Sequence, residues 1–286
     1  MFKTVAPELW IIDAEWVPDA DTGRRLYDLP AECPEAEVIE RMFREGGATE
    51  EEPRPFLKTA LCRVVSIAFL RRRNERGSVR LDLHSLPKTE PRMDERDLLA
   101  EFLEVAGRHK PQLVGFNLRG ADLPILIQRA MAHRIAAPAF CKRPDKPWEG
   151  MDYFANASEG TVDLMDVHGA RGNNPRLVHL AAAAAIPGKL GTDGRQVVDL
   201  WLAGEGRRIV EYNEYDVLTT YLLWLRTAHL GGFVSTAGME AEERMLEELL
   251  GERIAQGARH LEVYRDRWMA LRRDAAPTRT EGATLK

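Results

Sequence analysis

Two carboxylates two residues apart, Asp13 and Glu15, sit inside the otherwise apolar run Trp10-Ile11-Ile12-Asp13-Ala14-Glu15-Trp16. The run reads as a buried strand. A strand has a period of two, so both acids project from one face, about 7 Å apart along the chain. Two anions on an apolar strand cost free energy unless something positive lies between them. Hard oxygen donors suit Mg²⁺ or Mn²⁺, which makes the pair a candidate for divalent-cation binding. Taken alone, it also fits a strand end whose acids point into water.

Three more residues could join that chemistry. Asp122 stands just ahead of Leu123-Pro124, and Tyr212 and Asp216 lie four apart in the strongly helical segment from Gly206 to Leu230. Residues four apart on a helix share a face, and Thr219 continues it. Each has a plain structural reading when taken singly. Asp122 is a good N-cap, Asp216 a helix-surface acid, and Tyr212 a core aromatic with a wet hydroxyl. His168 and His179 read as loop and helix-surface residues. The acids gain meaning from their order and spacing.

Composition narrows the classes. The chain has 286 residues, 44% of them apolar and 30% charged, which suits one large globular domain with an appendage. A net charge of −5 excludes a protein that coats nucleic acid by bulk positive charge. Local binding of a few nucleotides around metal ions stays open. Cys33, Cys62 and Cys141 are scattered, form no C-x-x-C pair, and point away from zinc and toward a reducing compartment. No apolar run approaches the roughly 20 residues that span a bilayer, and the N-terminus runs almost directly into the first strand. The expectation is a soluble, cytoplasmic protein with no membrane partner.

The elements that must position these residues follow from periodicity. Residues 18–58 are polar, with prolines, Gly46-Gly47 and one short helix around Glu35 to Phe43. Cys62 to Leu70 is a strand, Arg71 to Gly77 a turn whose arginines form a solvated hairpin tip, and Val79 to His84 an edge strand. Asp94 to Arg108 has helical spacing, Gln112 to Phe116 is a strand, and a turn then leads into a helix with Pro124 in its first turn. Residues 136–160 read as a loop, Thr161 to Val167 as a short strand, and Leu177 to Ala185 as an alanine-rich helix. Gly188 to Gly194 reads as a plain turn, lacking the ending of a phosphate loop. Glu240 to Leu271 forms a last helix or pair, expected to pack on the main domain, and the tail from Asp274 reads as disordered. Antiparallel strands first and βα units afterwards give a mixed sheet with helices on it.

D-x-E on the first strand, N-x4-D leading a helix and Y-x3-D in a late helix together resemble the DEDDy 3′–5′ exonucleases. The resemblance is nearest to the bacterial exonuclease group related to the proofreading domain of family-B DNA polymerases. Supporting segments are Ile12 to Pro18, Leu113 to Asn117 with Asp122-Leu123-Pro124, Val162 to Asp166, Ile186 to Lys189 and Tyr212 to Leu222. The resemblance covers roughly residues 8–230. It implies an α/β, RNase H-like fold: a mixed five-stranded sheet, its first three strands antiparallel, flanked by helices. Residues 1–230 would form that domain with 18–58 inserted, 231–273 a C-terminal helical extension and 274–286 a disordered tail. A histidine version of the superfamily would carry His at position 211, which is Glu here. Ala121 replaces a usual aromatic and Trp16 a common Thr, both bordering the 3′-terminal nucleotide, so substrate preference departs more than chemistry.

The resemblance implies hydrolysis of phosphodiester bonds from the 3′ end of single-stranded nucleic acid, DNA favoured, releasing nucleoside 5′-monophosphates. Two cations, Mg²⁺ or Mn²⁺, about 3.5–4 Å apart would clamp the attacking water and the leaving oxygen. Asp13 would bridge both, Glu15 and Asp216 complete the first, and Asp122 hold the second. Tyr212 would orient the water; a phenol with a pKa of about 10 is a poor base at neutral pH. Asn117 would support the second motif or the substrate backbone. Trp16 and Phe116 could stack on terminal bases, with core packing the other role for Phe116. Four close carboxylates repel, so metal should stabilise the protein. An RNA-trimming exonuclease and a catalytically silent RNase H-like binding module are the alternatives.

Overall fold

The computed structural model describes residues 1–88, 92–146, 149–155, 158–170, 173–188, 190 and 196–275. In chain order come β1 (Glu8–Pro18), α1 (Ala20–Leu26), α2 (Glu35–Glu45), β2 (Cys62–Glu75), β3 (Ser78–Leu86), α3 (Glu95–His109) and β4 (Gln112–Gly115). A π-helical turn, Leu118–Asp122, leads into α4 (Leu123–Ala132) and α5 (Pro138–Cys141). Then follow β5 (Thr161–Asp163), α6 (Leu164–His168), α7 (Leu177–Ala183), α8 (Val197–Leu202), α9 (Gly206–Leu230), α10 (Thr236–Ala255) and α11 (His260–Ala275). Of the expected glycine-rich turn, Lys189 and residues 191–194 lie outside the described residues, as does the expected tail beyond 275.

The strands form one five-stranded mixed sheet in the order β3-β2-β1-β4-β5. β2 pairs antiparallel with both β1 and β3, β4 pairs in parallel with β1 and β5 in parallel with β4, consistent with an RNase H-like α/β fold. The period of two sorts the central strand between two cores. Leu9 and Ile11 face one side with Val217, Leu218 and Tyr221 of α9; Trp10 and Ile12 face the other with Leu98, Phe102 and Leu126 of α3 and α4. Asp13 and Glu15 continue the odd-numbered face, so the same alternation that builds the core aims both acids toward α9. The C-terminal helices share that core through Leu246, Leu250, Leu261, Tyr264 and Trp268, all fully buried.

The arginine run departs from the expected hairpin tip. β2 continues through Glu75, and the turn is Arg76-Gly77, both at positive φ. Arg72 is buried and makes paired hydrogen bonds to Glu242 of α10 at 2.7 and 2.6 Å, with the Tyr221 hydroxyl donating to the same carboxylate. Arg71 pairs with Glu8 and Arg73 with Asp82. A charged residue on a strand becomes a core residue when a distant element supplies its counter-ion, and breaking such a buried pair costs about 3–5 kcal/mol.

Other boundaries shift for local reasons. The polar insertion holds two helices rather than one, because α1 and α2 bury Ala20, Val38 and Met42 against each other. The expected 136–160 loop contains the helical turn α5, which buries Phe140. The expected Thr161–Val167 strand stops at Asp163, whose carboxylate accepts the Met165 N–H at 3.0 Å and starts α6.

Candidate active site

The site forms where the C-terminal ends of β1 and β4 meet the middle of α9. On β1, Asp13 lies opposite Ala68 and Glu15 opposite Ser66, and a register shift follows between Glu15 and Trp16. Such a bulge interrupts regular pairing beside the acids and re-aims the next side chain, and pairing resumes from Trp16 opposite Val64. From α9, Asp216 meets them: one oxygen each of Asp13, Glu15 and Asp216 lies within 4.8 Å of the others.

Asp122 enters from the neighbouring parallel strand. Gly115 at the end of β4 lets the chain turn tightly, because a Cβ there would lie 2.9 Å from Leu118 Cβ and 3.2 Å from the Ile12 carbonyl oxygen. Asn117 takes the left-handed conformation, φ 63°, and its side-chain oxygen sits over Gly120, where a Cβ would come within 2.2 Å. Asp163 of β5 fixes this turn by accepting the N–H groups of Asn117 and Arg119, each at 2.9 Å. The turn delivers Asp122 to the N-cap position of α4, yet its side chain caps nothing. Oδ1 instead accepts the Ala14 backbone N–H at 3.1 Å. The cap reading of Asp122 is therefore wrong: the carboxylate is spent on β1, between the two strand acids.

Electrostatics follow from this crowding. Burial pushes the Asp13 carboxyl well above the usual carboxylate range, and repulsion from Asp122, Glu15 and Asp216 adds to it. Asp122 is pushed up to about 8, chiefly by burial, against the lowering effect of its backbone hydrogen bonds. Burial first, and then the anions Asp216, Glu15 and Asp13, drive the Tyr212 phenol far above its ordinary value. Tyr212 hydrogen-bonds Asp216 one turn along α9 and stays protonated at neutral pH, a donor rather than a base.

The structure thus brings Asp13, Glu15, Asp122, Tyr212 and Asp216 to one place. Trp16 lines a cavity of about 190 Å³ with Asp13, Glu15 and Asp216. Phe116 and Asn117 line another of about 500 Å³ that also reaches Asp216, and Phe116 packs partly against the core, so both of its expected roles have a physical basis. His168 pairs with Thr227 at 2.8 Å, and neither it nor His179 borders these cavities.

Asn213 is the residue that sequence reasoning passed over. Fully buried, it has one amide orientation that satisfies its surroundings: the nitrogen donates to Asp13 Oδ2 at 3.1 Å and to the Asp13 carbonyl oxygen at 3.2 Å, and the oxygen accepts from Ser66 Oγ at 3.1 Å. Its place three residues before Asp216, on the same stripe of helix, was the available signal.

A donor set of crowded carboxylates, destabilised by burial and by one another, fits hard divalent cations of the Mg²⁺ or Mn²⁺ type. No curated protein matches the chain. A family model described as "Predicted 3'-5' exonuclease related to the exonuclease domain of PolB" matches residues 54–268, from the approach to β2 into α11. β1, with Asp13 and Glu15, precedes the matched stretch.

Proposed function

From a chain that belongs to the family of predicted 3′–5′ exonucleases related to the exonuclease domain of PolB, we propose a metal-dependent hydrolase that shortens single-stranded nucleic acid from its 3′ end. The observation that carries the reading is the meeting of Asp13, Glu15 and Asp216 within 4.8 Å beside the buried Asp122. DNA is the favoured substrate, because the family's relation is to a DNA polymerase domain. Asp13, Glu15 and Asp216 would hold one cation, and Asp13 with Asp122 a second. Bound there, the cations supply Lewis-acid activation of water and neutralise charge developing on the phosphate.

The protein's own groups do the positioning. Asn213 fixes the Asp13 carboxylate, and the Ala14 N–H fixes that of Asp122. Tyr212 donates its hydroxyl proton to Asp216, which leaves the hydroxyl oxygen to orient the attacking water by accepting a hydrogen bond from it. Water forms a bond to phosphorus, the bond to the 3′-oxygen breaks with that oxygen taking a proton, and a nucleoside 5′-monophosphate leaves.

The test is Mg²⁺- or Mn²⁺-dependent hydrolysis of single strands of DNA and of RNA, labelled at either end. The proposal expects immediate release of a 3′ label as mononucleotide and stepwise shortening of 5′-labelled DNA, both lost in Asp13→Ala and Asp216→Asn. Shortening of RNA alone would move the substrate to RNA. A wild-type protein inert on both would overturn the proposal.

A further inference from the structure

Phe56 is the most exposed large apolar side chain among the described residues, 84% accessible. Single exposed apolar side chains are common and carry no meaning by themselves. Position gives this one meaning. Phe56 lines both cavities that reach Asp216, the smaller with Trp16 and Phe43 and the larger with Phe116 and Arg176.

Its neighbours hold it there. Arg54 pairs with Asp199 at 2.6 Å. Leu57 packs against three separate core clusters, close enough to Gly46 that a Cβ on that glycine would lie 2.4 Å from it. These contacts on either side hold the backbone at Phe56 in place. An exposed aromatic face that lines both cavities, beside a set of carboxylates suited to metal, has the chemistry of a base-stacking platform.

We infer that Phe56 is a wedge between the last two bases of the substrate strand. The 3′-terminal base enters the smaller cavity beside Trp16, and the rest of the strand leaves along the larger one, where Arg176 meets its phosphates. This rests on the exonuclease reading and deepens it by assigning a substrate-binding residue in the polar insertion. Stacking is tolerant of base identity, so the wedge sets register at the scissile phosphate without selecting sequence.

Three proteins test it: wild type, Phe56→Ala and Phe56→Trp. Each binds a dye-labelled single-stranded DNA whose terminal linkage is a phosphorothioate, followed by anisotropy. The same proteins hydrolyse ordinary single-stranded DNA and thymidine 5′-(p-nitrophenyl phosphate), which has one base. Phe56→Ala is expected to weaken Kd and raise KM for the strand by roughly tenfold, the scale of one lost stacking contact. On the one-base substrate, which meets only one face of the ring, the loss in Phe56→Ala should be smaller, and Phe56→Trp should bind like wild type. An abasic penultimate nucleotide removes one of the two stacked bases and should shrink the difference between wild type and Phe56→Ala. Equal strand affinity of wild type and Phe56→Ala, or a penalty that the abasic substitution leaves undiminished, overturns the wedge. An inactive wild type overturns the exonuclease reading instead, and the Kd series still decides the role of Phe56.

Discussion

The Asp122 carboxylate accepts the backbone N–H of Ala14 at 3.1 Å, joining two segments 108 residues apart. Ala14 lies between Asp13 and Glu15, so one hydrogen bond fixes the offset between the β1 acids and the acid that precedes α4. Burial of a charge in such a bond has a cost, and the first prediction concerns its size.

Asp122→Asn keeps an oxygen for the Ala14 N–H and removes the charge. The Asp122 carboxyl, pushed up to about 8 by burial, binds its proton more tightly folded than unfolded. Its favourable contribution is complete below the unfolded value of 3.8 and is lost as pH rises toward about 8. In metal-free buffer at neutral pH, Asp122→Asn should therefore be more stable than wild type by about 0.5–2 kcal/mol. Chemical denaturation in EDTA measures this, and activity should fall in the same variant.

Metal should reverse the strain. Saturating Mn²⁺ at 100 times its Kd adds about 2.7 kcal/mol to a protein that binds only when folded. A rise in Tm with Mn²⁺ is expected for wild type and is expected to disappear in Asp13→Ala, followed by calorimetry.

Asn213→Ala removes the amide that holds Asp13. Loss of such an orienting partner typically costs about 10–100-fold in metal affinity or activity. The variant should lose that much in kcat and in Mn²⁺ affinity with little change in KM for the strand. Calorimetric titration with Mn²⁺ separates this from a packing defect, which would leave affinity unchanged in the folded fraction.

Acid stability should depend on a buried network separate from the four site acids. Burial alone would raise the Asp19 carboxyl, but the Thr22 hydroxyl and Arg129 outweigh it and hold the group below the usual range. Arg129 is itself buried, bonded to Asp19 at 2.9 Å and to Glu95 at 2.6 and 2.8 Å. A lowered carboxyl contributes stability above its unfolded value of 3.8 and loses it as pH falls through the folded one. Wild type should thus lose stability steeply below about pH 4, with a shallower slope in Asp19→Asn. Arg129→Met should cost about 3–5 kcal/mol by removing the guanidinium that bridges two buried carboxylates. Denaturation curves across acid pH check both.

What the sequence revealed, and what it hid, divides along physical lines. The alternation Leu9 to Glu15 and the four-residue spacing of Tyr212 and Asp216 are local signals, and each describes a real face. Arg72 was misread because its partner Glu242 lies 170 residues away, and an arginine run without a visible counter-ion looks like a solvated tip. Asp122 alone looks like a cap because an acid before Leu-Pro has that chemistry; its order among the other acids points to the site, and the Ala14 N–H it accepts comes from β1, which no local signal shows. Asn213 and Phe56 carry no motif. One acquires its role from a carboxylate across the sheet interface, the other from two cavities that residues far apart in the chain line with it.

Anomalous diffraction from crystals soaked in Mn²⁺ tests the centre of this account most directly. The account predicts Mn²⁺ coordinated by Asp13, Glu15 and Asp216, with a second ion between Asp13 and Asp122, and no density there in Asp13→Ala crystals. Mn²⁺ bound elsewhere, with none touching Asp13, would contradict it.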